Sequence, residues 1–167
     1  MLKSDTVKEA DKSCKEKGYY RTIAFVNKRR IKSLMENAEI NLNTAELIKK
    51  SINEQDARWM NVYIEHYDAL RIYVEAYLFF DKIIISNHLC LFTYLCVKYP
   101  DFEFDWNFCE NIRKKRNGAN YYGEKITYEN WKEDEARFNL YISILKKEIN
   151  KKLVTSEESN GWEESNN

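Results

Sequence analysis

The stretch Ile112-Arg113-Lys114-Lys115-Arg116-Asn117-Gly118-Ala119-Asn120-Tyr121-Tyr122-Gly123 gathers four consecutive cations, two amides, two tyrosines and two glycines. That combination can grip a phosphate. A guanidinium offers planar, permanently charged donors, and an adjacent Asn can orient them or their ligand. Two readings of Arg116-Asn117 stand side by side. One makes the pair a ligand or catalytic site. The other makes it a helix end, with Arg116 on backbone carbonyls and Asn117 as a cap near Gly118. Of Tyr121 and Tyr122, one is expected to pack and the other to touch the site. Gly123 suits a backbone with positive φ. Arg113, Lys114 and Lys115 read as a solvated or nucleic-acid-facing surface.

The chain has only two histidines. His88 follows a candidate cap, Asn87, and reads first as a capping or core-edge residue. It becomes a proton-transfer group if the fold brings it to Arg116. His66 reads as a surface or dimer-face residue, and Asp68 and Arg71, three apart, as a helix-surface pair. Glu-x-x-His spacing for a di-iron bundle is missing, as are a Gly-rich phosphate loop and a Ser/His/Asp arrangement. Cys14, Cys90, Cys96 and Cys109 form no Cys-x-x-Cys pair, so no structural zinc, other metal or cofactor is expected. Cys90, Cys96 and Cys109 lie in apolar patterns and read as reduced core thiols.

Helical periodicity must position these groups. Tyr20, Ile23, Ala24, Ile31, Leu34, Met35 and Ala38 form a stripe that Asn27 interrupts. Asn43-Thr44 reads as the cap of a separate short segment through Ile52. Trp59, Tyr63, Tyr67, Leu70, Val74, Tyr77, Leu78 and Asp81 predict a long helix over about 56–82, buried on a wide face. Ser86 or Asn87 starts the next helix, which Pro100 ends. Asp105 or Asp101 starts the helix carrying the basic run, with Phe108, Cys109 and Ile112 inward. Thr127 caps a last helix to about Leu153, along Trp131, Glu135, Phe138, Ile142, Leu145 and Ile149.

Composition fits this. One proline and four glycines among 167 residues argue against an all-β fold, and 12 Tyr, 8 Phe and 4 Trp can fill a core. A polar segment over 1–18, a bundle over 19–153 and an acidic, disordered tail over 154–167 are expected. Residues 155–167 hold Glu157, Glu158, Glu163 and Glu164 and no cation, so the rest of this formally neutral chain carries +4. Such a body permits an anionic ligand without requiring one. Met1 to Asp5 shows no apolar signal region, and the Ile83–Val97 run is too short and too polar to span a bilayer. A cytoplasmic location and no membrane partner are the expectation. The expected fold is a single all-α bundle of four to five main helices.

With those elements in place, the sequence resembles a HEPN domain, the helical family named for higher eukaryotes and prokaryotes nucleotide-binding. Its marker is an Arg followed by a polar residue and then, a few residues on, a His, towards the end of the third main helix. Arg116-Asn117 resembles the start of that marker. Gly118 to Gly123 is similar to a branch with Tyr in place of the His. Tyr63, Tyr67, Ala69, Leu70 and Arg71, and the segment Ser86-Asn87-His88-Leu89, also resemble that branch, over about residues 20–153. The resemblance implies a metal-independent ribonuclease of toxin–antitoxin type, acting as a homodimer and paired with a nucleotidyltransferase-like antitoxin. Arg116 would stabilise the phosphate of RNA, Asn117 would orient it, and Tyr121, Tyr122 or His88 would move the proton. A phenol titrates near pH 10, which makes Tyr a poor substitute base. The alternative is a catalytically inactive HEPN module that binds a protein partner or nucleotide.

Overall fold

A computed structural model describes residues 6–164, with side chains described through Thr155. It is all-α apart from one small strand pair. The elements are α1 (Val7–Glu16), β1 (Arg21–Thr22), α2 (Lys28–Ser51), α3 (Trp59–Leu78), β2 (Ile83–Ile84), α4 (His88–Lys98), α5 (Trp106–Tyr122) and α6 (Tyr128–Glu164). Short 3₁₀ turns at Phe79–Asp81 and Pro100–Phe102 follow α3 and α4.

Helix α3 is the centre, packing against α2, α4, α5 and α6. Its expected stripe is buried from Trp59 to Leu78, with Tyr63, Tyr67, Leu70, Tyr73 and Val74 fully enclosed. A buried phenol needs a partner for its hydroxyl. Tyr63 donates to Asp134 at 2.6 Å, Tyr73 to Glu39, and Tyr67 lies against His88. The inward residues expected on α5 (Phe108, Cys109, Ile112) and α6 (Trp131, Phe138, Ile142, Leu145, Ile149) are buried too.

Several boundaries differ from the periodicity, each for a local reason. Asn27, the break in the first stripe, is the N-cap of α2 and accepts from the Arg30 amide at 3.0 Å. Tyr20 lies outside that helix, and Arg21 and Thr22 pair antiparallel with Ile84 and Ile83. Thr44 caps nothing. Its hydroxyl donates to the Ile40 carbonyl at 2.9 Å, a bond that a mid-helix threonine makes, and α2 runs on unbroken. Asn87 and Asp105 do cap α4 and α5, and Thr127 exchanges hydrogen bonds with Asn130 ahead of α6. Helix α6 extends to Glu164, past the expected end near Leu153. The side chains of most of the expected acidic tail lie outside the described residues.

The cysteines hold a correction. Cys14 and Cys90 form a disulfide joining α1 to α4 across 76 residues, whereas a reduced Cys90 was expected. Helix α1 buries only Ala10 and Cys14, too little apolar surface to hold itself in place, so the crosslink supplies what packing does not. Cys96 and Cys109 are free thiols, and the contact with Cys96, then burial, pushes the Cys109 thiol up. Among the described residues no helix is long and apolar enough to cross a membrane.

Candidate functional site

Three helices meet around Tyr67. It stands in the middle of α3, buried, with its ring under the Arg116 guanidinium of α5 at 5.7 Å. Its hydroxyl lies 3.1 Å from Nδ1 of His88, the first residue of α4. The buried packing of Phe108, Cys109 and Ile112 turns Arg116 towards α3, and the Asn87 cap fixes the backbone that carries His88. The structure therefore brings together two groups that lie 28 positions apart in the chain, Arg116 and His88.

Charged neighbours complete the arrangement. Arg116 Nη2 lies 3.8 Å from Asp68 Oδ1, and Arg71 Nε lies 3.6 Å from the same oxygen. Arg71 Nη1 reaches Glu75 at 3.3 Å, and Arg30 approaches the other oxygen of Glu75 at 3.7 Å. Most of these distances are too long for a hydrogen bond. Nε of Arg71 and Nε of Arg116 are both buried and have no hydrogen-bond partner among the described residues. A buried guanidinium N–H without an acceptor is costly, and native proteins leave few of them. Arg116 is not sealed off, since 15% of its side chain remains exposed.

This field acts on His88. Burial, then the Arg71 and Arg116 charges, push its imidazole down to about 4, with Asp68 opposing and Arg113 adding to the fall. The ring is therefore neutral at physiological pH. Nδ1 is engaged by Tyr67, and Nε2 has no hydrogen-bond partner among the described residues. Burial pushes the Tyr67 phenol up, so it stays protonated.

The remaining sequence candidates are placed differently. Asn117 sits beside Arg116, its amide oxygen 3.4 Å from Nη1. Neither caps the helix, because α5 continues to Tyr122 and ends at Gly123 with φ 68°, the positive value expected there. Gly118 lies inside the helix, where a Cβ would collide with the Glu124 carboxylate. Tyr121 and Tyr122 are 70% and 77% exposed, so neither packs inside. Arg113 is held by both oxygens of Glu110, Lys114 lies 3.8 Å from Glu110, and Lys115 bonds Asp134 at 2.8 Å. His66 is a core residue, not a surface one. It is 3% exposed, with Nδ1 on the Val62 carbonyl and its ring against Trp131, and burial pushes its imidazole down.

Sequence reasoning placed neither Tyr67 nor Arg71 in the site: both were named among the residues that carry the resemblance, and Arg71 was paired with Asp68. The available signal was spacing, since Tyr67 and Arg71 are four apart and share a helix face. A pocket of about 270 Å³ lies between α5 and α6, beside Lys115, Asp134 and Arg137. Its cations are already matched, Lys115 by Glu133 and Asp134 and Arg137 by Asp105, so the unsatisfied chemistry is around Tyr67 instead. Compared with known proteins, the chain matches no family model, no curated protein and no solved structure.

Proposed function

We propose that the α3–α4–α5 junction binds a phosphate of RNA and cleaves the chain beside it without metal. The observation that carries this reading is the pair of buried, acceptorless Arg71 and Arg116 Nε–H groups next to a neutral histidine. A phosphate oxygen supplies acceptors of the right charge. The ribose 2′-hydroxyl attacks phosphorus as His88 Nε2 takes its proton, in the tautomer whose Nδ1–H donates to Tyr67. The bond to the 5′-oxygen breaks, that oxygen leaves protonated by water, and a 2′,3′-cyclic phosphate remains. Arg116 faces the charge that builds on the phosphorane.

Burial holds His88 low, and the field of Arg71 and Arg116 adds to it. A bound phosphate offsets that field, so the imidazole becomes a stronger base when substrate arrives. His88 thus fills the role for which the exposed Tyr121 and Tyr122 are poorly suited. Asn117 orients Arg116. The wider HEPN-type reading, with a homodimer and a nucleotidyltransferase-like partner, rests on the resemblance alone, and sedimentation of the purified chain tests the dimer.

The test is RNA incubated with the protein in excess chelator, followed by end analysis. Cyclic phosphate ends are expected, with loss of at least about a hundredfold in rate for Arg116→Ala and for His88→Ala. Intact RNA that stays bound, with binding lost in Arg116→Ala, would select the inactive module that binds nucleotide.

A further inference from the structure

We infer that Arg71 is the second arm of the phosphate clamp, that Asp68 is an internal placeholder for the ligand, and that the ligand is a singly charged internal phosphodiester. This deepens the reading above and rests on it for the identity of the site.

The argument starts from one oxygen. Asp68 Oδ1 is the point on which Arg71 Nε and Arg116 Nη2 converge, from α3 and α5, at 3.6 and 3.8 Å. Both contacts stop short of hydrogen bonds, and both Nε–H groups are left unpaired. Asp68 therefore offers charge to the two guanidinium groups without satisfying their directional donors. An anionic oxygen that entered between them would make the bonds Asp68 does not, and would displace it towards solvent. Asp68 is half-buried, with a quarter of its side chain exposed, so it has somewhere to go.

Charge selects the ligand. Arg30, Glu75, Arg71, Asp68 and Arg116 form one chain of alternating sign, each within 3.8 Å of the next. Three guanidinium groups against two carboxylates leave one positive charge within this chain, and Glu65, whose carboxyl is raised by burial and then by the Asp68 charge, lies outside it. The nearby Arg113 is paired with Glu110 through two hydrogen bonds, so it is not a free donor for the ligand. His88 and Tyr67 are neutral. A monoanion brings this network to balance, whereas a terminal phosphate near pH 7 brings close to two negative charges. An internal diester of a nucleic acid strand is the monoanion with oxygens placed to accept from both arms.

The experiment uses the full chain and an uncleavable probe, a 2′-O-methyl tetraribonucleotide without terminal phosphates, titrated at low salt. A nucleoside 5′-monophosphate is titrated in parallel. The probe is expected to bind more tightly than the monophosphate and to shift the Arg71 and Arg116 Nε–H resonances. Arg71→Ala should weaken it about tenfold or more, and Arg71→Lys should not restore it, because an ammonium lacks the planar fork. Asp68→Asn should tighten binding severalfold, a gain that misfolding cannot imitate. Probe binding unchanged in Arg71→Ala but lost in Arg116→Ala would overturn the second arm and leave the proposed function standing. Tighter binding of the monophosphate would overturn the ligand class. Cleavage and binding that both survive Arg116→Ala would remove the proposed function itself.

Discussion

The four cations Arg113 to Arg116 occupy one turn of α5 and end in two opposite electrostatic conditions. On one side, Lys115 bonds Asp134 at 2.8 Å, Asp134 also receives the Tyr63 hydroxyl, and Glu110 holds Arg113 with two bonds. On the other, Arg116 has a distant carboxylate, a long contact with the Asn117 amide oxygen, the Tyr67 ring beneath it and a buried Nε–H with no acceptor. In the first condition Lys115 ties α5 to α6, and Arg113 is tied within α5. The second leaves a buried donor without a partner among the described residues. A basic run is thus not one feature. Each cation takes its role from the residue that the fold sets opposite it, and those residues come from α3, α6 and α5 itself.

The largest effect that could break this comparison is on stability. Asp134→Ala removes the acceptor for the buried Tyr63 hydroxyl and the main partner of Lys115. It should cost about 3 kcal/mol in chemical unfolding. Binding of the uncleavable tetranucleotide by the folded fraction should stay unchanged, because Arg71 and Arg116 make no contact with Asp134. Asp68→Ala should do the reverse, costing under about 1 kcal/mol while altering binding. If both acids weigh equally on stability, the two sides of α5 do not differ as described.

His88 gives a smaller effect with a defined sign. Unfolded, its imidazole takes up a proton as pH falls through about 6.5, whereas the folded ring resists until about 4. The unfolded state therefore binds more protons across that window, and stability falls as pH drops through it. His88→Gln should flatten the slope by on the order of 1 kcal/mol in total, allowing for solvent screening at a half-buried ring. His66 is depressed in the same direction but is present in both proteins, so it cancels in the difference. Saturating tetranucleotide should flatten the wild-type slope in part, since the anion offsets the arginine field but not the burial that is the larger cause.

How far the chain could be read in advance follows the same division. The buried face of α3 and the Thr127 cap were legible, and the starts of α4 and α5 were narrowed to Ser86 or Asn87 and to Asp105 or Asp101, because periodicity and capping are local. Asn27 misled because a polar residue inside an apolar stripe reads equally as an interruption or a beginning. Thr44 misled because its hydroxyl can serve its own helix as readily as cap another. Arg116 and His88 were each legible as candidates. Their meeting was not, because it depends on Tyr67 touching both from a third helix. Nor could the sequence show that the Arg71 Nε–H lacks an acceptor, which is a property of three-dimensional surroundings. The Cys14–Cys90 link joins residues 76 apart and needed the α1–α4 contact to be seen.

Lys114 should show the smallest effect, and it separates surface from site. Its side chain is 65% exposed and 3.8 Å from Glu110, so Lys114→Ala should change stability by less than about 0.5 kcal/mol. If strand backbone runs along α5, Lys114 contributes one diffuse phosphate contact. Removing it should lower the slope of log affinity against log salt by about 0.7, the single-strand value, for every sequence tested. Arg116→Ala should weaken binding far beyond what that lost counterion explains, because it also removes directional bonds in a partly desolvated place. Equal losses from the two substitutions, at every salt concentration, would mean that Arg116 acts as one more surface charge, and the contrast between the two sides of α5 would carry no functional weight.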